Sequence, residues 1–273
     1  MSNTPRPTRN EQREAARAKA REMRLAQKRS ASRKRVILIA SIVSAVALAV
    51  TTVVLTINNE VNNPVPTVGT PANMDFDGGI KIGKDLKAIT DAKVQADTPN
   101  IIVYQDLQCP NCRDFENPNS AQLRDWVSSG KYTLQIHPIS FLDGASPNAY
   151  SSRAASAEMC VANGAPDKFF EYNSALFANQ PEEGSMGPSD NELAARAESV
   201  GINNKPVLDC IKNANYQAYA LSYTQDTVFK RNIPGTNLKV DGTPYIVLNG
   251  ERFSGDWTNP ALFAQWVLST SAK

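Results

Sequence analysis

The strongest apolar pattern in the chain is an unbroken run of 22 residues, positions 36–57, with no charged side chain between Arg35 and Glu60. About 20 apolar residues suffice to cross a bilayer core, and a helix satisfies its own backbone polar groups in lipid. Small-residue triplets at 45–47 and 47–49 resemble signal-peptide cleavage sites, but the apolar run continues well past them. The pattern therefore predicts an uncleaved transmembrane helix at residues 36–57.

Asn, Pro, Thr and Gly dominate residues 58–78, which predicts a linker with little to bury. Beyond it, apolar and β-branched positions recur as they do in short strands, and three strands are predicted, at residues 79–83, 100–106 and 131–141. A helical pattern at residues 115–130 lies between the second and third strands. Pro118 is expected to kink this helix or split it in two.

Helix-type apolar spacing then takes over, and it predicts a helical insert at about residues 145–232. Its segments, separated by Gly, Pro or Asn, are residues 148–164, 167–180, 190–201, 205–213 and 216–231. The chain returns to a strand at residues 244–250, turns through Asn249 and Gly250 into a hairpin, and ends in a helix at 259–270. This order predicts one α/β domain, residues 79–273, whose sheet is interrupted by helices after its third strand.

Charge divides the chain more sharply than its net charge of +2 suggests. Residues 1–35 carry 12 Lys or Arg against 3 Glu, which leaves 17 basic and 24 acidic side chains for the rest. The positive-inside rule then predicts that residues 1–35 are a basic cytoplasmic tail. The protein is expected in the cell membrane, single-pass, with its globular domain extracytoplasmic. The tail lacks interleaved aromatic residues or a binding module, so no nucleic acid partner is expected.

Cys109 and Cys112 are separated by Pro110 and Asn111. Three interpretations compete. A zinc site needs four ligands, and only scattered Cys and His residues remain to complete one. A structural disulfide across so small a ring stabilises little. A redox-active dithiol is favoured because Cys109 follows a buried strand and opens a helix, where N–H groups and the helix dipole favour the thiolate. Pro110 suits the first helical turn.

The order of strand, C-P-N-C, helix, helical insert and Thr243-Pro244 before a strand resembles the thioredoxin-fold oxidoreductases. It is most similar to the DsbA-like branch in its membrane-anchored bacterial form. The resemblance covers about residues 79–273 and implies a thioredoxin-like α/β fold with a helical insertion. It also implies a thiol-disulfide oxidoreductase activity that needs no bound metal or organic cofactor.

The resemblance assigns roles to individual residues. Cys109 would be the sulfur that a substrate thiolate attacks, and Cys112 would resolve the mixed disulfide or leave. Pro244 would be cis and lie beside the pair, and Thr243 would offer backbone groups to a bound peptide. Asn111 can donate hydrogen bonds toward the sulfur.

Two positions depart from the pattern of that family. Its best-known oxidants carry a His at the position of Asn111, and many relatives carry a buried acid at the position of Val103. No carboxylate relay can therefore be transferred. Asp106 is the nearest acid, and two roles are open to it: a partial relay, or an acceptor of backbone N–H bonds at the turn.

A second pair, Cys160 and Cys210, lies on two predicted helices of the insert. Exported proteins are exposed to oxidising conditions, so a structural disulfide between them is predicted over two free thiols or a second redox centre. His137 is expected to be structural. The insert aromatics fall at helical spacing and are expected in the core rather than in a peptide groove: Phe169, Phe170, Tyr172 and Phe177.

These expectations combine into one functional hypothesis with two alternatives. A membrane-anchored oxidase would introduce disulfide bonds into reduced exported polypeptides and would be reoxidised by a quinone-linked membrane reoxidase. A disulfide reductase or isomerase of the same fold is the first alternative. A non-catalytic chaperone or binding module that keeps the fold is the second.

Overall fold

The computed structural model describes residues 69–71, 73–74, 77–89, 95 and 97–272. The predicted basic tail 1–35, the predicted transmembrane helix 36–57 and most of the linker 58–78 lie outside the described residues. Within the described ranges, no helix combines the length and the apolar character that a membrane crossing requires. The predicted domain boundaries and the anchor therefore stay predictions.

A five-stranded sheet, counted over the described residues, has the order β1-β3-β2-β4-β5. Its strands are β1 (Ile80–Ile82), β2 (Asn100–Gln105), β3 (Thr133–Pro138), β4 (Tyr245–Leu248) and β5 (Glu251–Arg252). Strands β2 and β3 run parallel, and the other neighbours run antiparallel. Asn249 and Gly250 join β4 to β5, both with positive φ, which is the conformation of a tight hairpin turn. The predicted strands and hairpin are confirmed.

Seven α-helices occur in the described chain. They are α1 (Pro110–Ser128), α2 (Tyr150–Gly164), α3 (Phe169–Ala178), α4 (Asp190–Ser199), α5 (Lys205–Lys212), α6 (Gln217–Ser222) and α7 (Pro260–Ser271). Short 3₁₀ turns occupy Asp143–Ala145 and Pro166–Lys168. The helical insertion is confirmed, with two corrections. Helix α1 continues through Pro118 and is not split. The predicted helix at 216–231 is instead α6 followed by a π-helix, Tyr223–Val228.

Both faces of the sheet are covered. Val103, Ile136 and Ile246 pack on one face into the main core with α1, α7 and the insert helices. Tyr104 and Tyr245 pack on the other face into a smaller cluster with the π-helix. Strand β3 is consequently buried at all six positions. The insert aromatics are buried in the main core, which confirms their predicted packing role.

Helix α1 is fixed against the sheet by aromatic contacts with the C-terminal helix. Phe263 of α7 meets Phe115 edge-to-face with ring centroids 5.2 Å apart, and Trp126 lies 5.9 Å from it. Aromatic pairs of this kind contribute about 0.5–1.5 kcal/mol each beyond the area that they bury. The helix that carries the cysteine pair is therefore held by the body of the domain.

The predicted disulfide between Cys160 and Cys210 is present and joins α2 to α5, with Cα atoms 5.8 Å apart. His137 is also structural, as expected. Its ring stacks on Tyr104 at 4.1 Å, and its Nδ1 is 2.5 Å from the Tyr223 hydroxyl. Burial lowers the pKa of His137 to about 4, so the ring is neutral at physiological pH.

Candidate active site

The cysteine motif begins where β2 ends. The Cys109 N–H donates to the Asp106 carbonyl at 3.0 Å, which closes a turn and places Cys109 at the N-cap of α1. Pro110 takes the first helical position, where a missing N–H leaves no bond unmade. The Cys109 carbonyl then accepts from the N–H groups of Cys112 and Arg113. Both cysteines are free thiols in this structure.

Cys109 is 7% exposed, and what remains open of it faces a cavity of about 310 Å³. Its Sγ lies 3.4 Å from the Thr243 carbonyl oxygen, to which the sulfur donates when it is protonated. The Thr243–Pro244 peptide bond is cis, as the resemblance implied. Cys112 is 1% exposed and lies away from the cavity lining. The geometry thus leaves Cys109 as the sulfur of the pair that an incoming thiolate can reach.

Hydrogen bonding stabilises the thiolate of Cys109. The pKa of Cys109 is lowered to about 6, chiefly by a hydrogen bond from the Cys112 thiol, with further help from the Thr243 side chain and the N–H groups of Cys112 and Asn111. Burial opposes this shift. Burial also raises the pKa of Cys112 well above its usual range, and the neighbouring Cys109 thiolate adds to the effect. The pair therefore divides into a thiolate facing the cavity and a buried thiol.

Asp106 joins the cysteine turn to two other segments. Its carboxylate accepts from the N–H of Gln108 and from the Ser151 hydroxyl on one oxygen, and from the N–H of Leu142 on the other, each at 2.8 Å. Full burial raises its pKa to about 6 against the effect of these bonds. Of the two roles left open by the sequence, the acceptor of backbone N–H bonds is present. Its own N–H points at the Cys112 sulfur at 3.4 Å.

Residues that the sequence did not single out complete the cavity. Phe141 and Leu142 follow β3, Gly242 precedes Thr243, and Glu183 comes from the loop between α3 and α4. Leu142 and Glu183 lie outside the predicted elements and motifs, and nothing in the sequence marks Phe141 or Gly242 as a cavity residue, so only the folded chain identifies them. Within the described residues, no group of three or more His, Cys, Asp or Glu side chains is arranged to hold a metal ion.

Two buried acids, Glu116 on α1 and Glu158 on α2, were also not anticipated. Glu116, one turn after Cys112, accepts from Ser174 at 3.1 Å and from Asn173 at 3.3 Å. Burial raises the pKa of Glu116, and it raises that of the nearby Glu158 well above the usual range, with the charge of Glu116 adding to the effect. The position of Val103 carries no acid, and these two carboxyl groups lie elsewhere in the same core. The sequence signal for this pair was an acidic residue, Glu116, at a buried position of α1.

The chain belongs to the thioredoxin family. The family model described as Thioredoxin matches residues 93–265. Among curated proteins, no sequence matches the chain.

Solved structures extend this likeness over most of the chain. DsbA from Mycobacterium tuberculosis in its reduced form is 24% identical, with a TM-score of 0.57 over 72% of this chain and 93% of that one. MdbA, a thiol-disulfide oxidoreductase from Corynebacterium diphtheriae, is 20% identical, with a TM-score of 0.55 over 78% of this chain and 99% of that one. BdbD from Bacillus subtilis is 18% identical, with a TM-score of 0.55 over 75% and 97%. At these identities, the comparison establishes a shared fold.

Proposed function

We propose that the protein is a thiol-disulfide oxidoreductase that introduces disulfide bonds into exported polypeptides through Cys109 and Cys112. One observation carries the proposal. The sulfur of Cys109 stands at the start of α1, borders a cavity beside the Thr243 backbone, and has a pKa lowered to about 6. Relatives of the same fold described as thiol-disulfide oxidoreductases support the assignment.

The reaction begins with the Cys109–Cys112 disulfide. A substrate thiolate attacks the Cys109 sulfur, the bond between the two enzyme sulfurs breaks, and Cys112 leaves as a thiolate that takes up a proton. A second substrate thiolate then attacks the mixed disulfide, and Cys109 leaves as a thiolate. Two substrate thiols become one disulfide, and the enzyme gains the two electrons.

The lowered pKa of Cys109 supports the oxidase direction of exchange. A shift of the Cys109 pKa from 9.0 to about 6 stabilises the reduced enzyme at pH 7. This stabilisation amounts to about 1.4 kcal/mol and raises the reduction potential by about 30 mV relative to an unperturbed thiol. Stabilising the reduced form makes the disulfide the better electron acceptor, which supports the oxidase direction.

A reductase or isomerase is the second candidate. In the described lining of the cavity, no cationic side chain accompanies Cys109, and Asn111 is neutral where strong oxidants of the resembling branch carry a His. A measured reduction potential separates the candidates, because a strong oxidant has a potential of about −120 mV and a reductant has one of about −270 mV.

We further propose that the enzyme is tethered to the cell membrane by residues 36–57, with residues 1–35 cytoplasmic. The 22-residue apolar run and the basic tail before it support this topology. Tethering would raise the encounter rate with a membrane partner. Reoxidation would then fall to a quinone-linked membrane reoxidase, and the substrates would be reduced exported polypeptides.

Oxidative refolding of reduced, unfolded ribonuclease tests the activity. The full-length chain in its disulfide form should restore ribonuclease activity, and Cys109→Ser should abolish this effect. With scrambled, disulfide-bonded ribonuclease as the substrate, the Cys109 thiolate of Cys112→Ser should attack a substrate disulfide, one substrate sulfur should leave as a thiolate, and the resulting mixed disulfide should accumulate and be visible on a non-reducing gel. If Cys109→Ser refolds ribonuclease as well as the unaltered chain does, the protein is a chaperone and the proposal is wrong.

A further inference from the structure

The loop between α3 and α4 forms one wall of the cavity and is attached to the cysteine turn by side-chain hydrogen bonds. We call residues 180–187 the acidic loop. The Gln180 amide donates to the Cys109 carbonyl at 2.9 Å. The Gln108 amide donates to the carbonyls of Glu182 at 3.1 Å and Ser185 at 3.0 Å. The loop is therefore held at a fixed place beside the attacked sulfur.

The far end of the acidic loop is fixed as well. Arg153, which is buried, pairs with Asp190 at 2.9 Å just beyond the loop. Gly187 has a φ of +62°, and a Cβ there would come within 2.5 Å of the Tyr150 ring. This close approach fixes how the loop leaves the core. Both ends of the acidic loop are thus determined by packing and polar contacts, and its central residue faces a defined site.

That central residue, Glu183, lines the cavity together with Cys109. Among the described lining residues, Glu183 is the one acidic side chain, and no Lys or Arg balances it. The cavity also carries an apolar element, Phe141, whose side chain remains 40% exposed. The site therefore presents a reactive sulfur with a negative charge and an aromatic surface in its walls.

We infer that Glu183 determines substrate preference by selecting reduced polypeptides with a Lys or Arg next to the reacting cysteine. This inference rests on the proposed function. In the attack step, the substrate thiolate bonds to the Cys109 sulfur and Cys112 leaves. A flanking cation then lies against the Glu183 carboxylate, whereas a flanking Asp or Glu is repelled.

The size of the effect follows from the exposure of Glu183. Solvent-exposed ion pairs contribute little, and the expected preference for a basic over a neutral flank is about three-fold in rate. Repulsion of an acidic flank adds a similar factor in the opposite direction. Because the pair is exposed, salt should weaken the preference, with a screening length of about 10 Å at 0.1 M.

The test uses the full-length chain, oxidised, in neutral detergent micelles. Three synthetic peptides each contain one cysteine and differ only in its two flanking residues, which are Lys, Gln or Glu. Acid quenching, alkylation and mass spectrometry give the second-order rate of disulfide opening for each peptide. Flanking charges also alter the peptide's own thiol, so the quantity compared is the Lys-to-Glu rate ratio of each protein variant relative to that of the unaltered chain.

Glu183→Gln should lower this ratio about nine-fold, because the about three-fold attraction of the Lys flank and the about three-fold repulsion of the Glu flank are both lost. Glu183→Lys should lower it further and bring it below the ratio measured with a small uncharged disulfide. Glu198→Gln, on α4 with its side chain outside the cavity lining, makes the same change in net charge and should keep the ratio of the unaltered chain. In 1 M salt, the ratio of the unaltered chain should approach that of Glu183→Gln.

The outcomes separate the two proposals. Suppose that all three peptides react and that Glu183→Lys has the same Lys-to-Glu rate ratio as the unaltered chain. The inference is then wrong, and the proposed function stands. An equal loss of the ratio in Glu198→Gln also overturns it, because net charge would then suffice. Failure of the oxidised chain to react with any peptide, including the Gln-flanked one, removes the proposed function and the inference together.

Discussion

Cys109 obtains its thiolate character from hydrogen bonds rather than from a neighbouring cation. The Cys112 thiol and the backbone N–H groups of Asn111 and Cys112, at the start of α1, supply those bonds. Hydrogen bonds of this type are oriented by the helix itself. Having Asn rather than His at position 111 therefore removes only the contribution of a positive charge to the low pKa of Cys109.

The pKa of about 6 predicts how Cys109 reacts with pH. Alkylation of the reduced protein by iodoacetamide should rise from pH 4 and reach half its maximum near pH 6. Cys112 should stay unmodified because it is buried and its pKa is raised. Mass spectrometry after short pulses of reagent checks both statements. A midpoint near 8.5, the value of a free thiol, would contradict the assignment of Cys109 as the activated sulfur.

The same pKa predicts how stability depends on pH. The folded pKa of Cys109 lies below 9.0, so its contribution to the reduced protein is fully present above pH 9 and is lost as the pH falls to about 6. Across that window, the reduction potential should fall by about 30 mV per pH unit, against about 59 mV below pH 6 where two protons accompany two electrons. Redox titration against glutathione between pH 5 and pH 8 measures these slopes.

The residues that sequence identified differ in kind from those that it missed. Cys109, Cys112, Thr243 and Pro244 were predictable because they form two short motifs next to predicted strands, and because the order of those motifs resembles a known family. Glu183 reaches the cavity from a loop whose sequence carries no periodicity. Its position depends on side-chain hydrogen bonds from Gln108 and Gln180, and such contacts leave no local signal.

At the scale of elements, Pro118 shows where local preference is overruled. An interior proline removes a backbone hydrogen bond and costs about 3 kcal/mol, which is why a break was expected. Phe115 and Asn119 on either side are buried, and the Asn119 amide donates to the carbonyls of Phe115 and Trp257, each at 2.8 Å. These contacts on both sides of the proline favour one continuous helix.

The π-helix after α6 has a local cause that the apolar spacing could not show. The Thr224 hydroxyl donates to the Ala220 carbonyl at 2.8 Å and accepts from the Ser140 N–H at 2.9 Å. A hydroxyl that bonds to the carbonyl one turn earlier competes with the regular backbone bond. The apolar pattern at 216–231 therefore correctly predicted helical structure. It was wrong in predicting one regular α-helix, because the second half is a π-helix.

The Cys160–Cys210 disulfide should stabilise the insert strongly. It spans a sequence separation of 50, and the chain-entropy estimate for such a loop is about 4 kcal/mol. The double variant Cys160→Ala with Cys210→Ala should lose about that much free energy of unfolding, measured by urea titration. The matched control, Cys109→Ser with Cys112→Ser, should lose far less. Equal losses in the two variants would contradict a structural role for this bond.

At the scale of the whole molecule, the charge is distributed along the chain rather than around one body. The first 35 residues hold 12 cations, and the remainder carries an acidic excess of 24 against 17. An average over the chain describes neither part. The domain proposed to face outward is acidic, and this agrees with the proposed preference for basic substrate segments.

The anchor proposal predicts a clear fractionation result. The full-length chain should sediment with membranes and resist carbonate extraction, because an apolar helix of 22 residues is held by the bilayer core. Deletion of residues 1–57 should release the protein, whereas deletion of residues 1–35 alone should leave it membrane-bound. Carbonate release of the full-length chain would contradict the anchor.

The sulfur of Cys109 and the carbonyl of Thr243 meet across 134 positions of sequence. A ribosome builds the chain from its N-terminus, so the reactive pair exists long before strand β4 is made. A product that stops within the insert would contain both cysteines but would lack Gly242 and Thr243, and hence part of the cavity wall beside Cys109. If the protein acts as proposed, selective exchange therefore requires completed synthesis, because incomplete copies would carry both thiols without the full cavity wall.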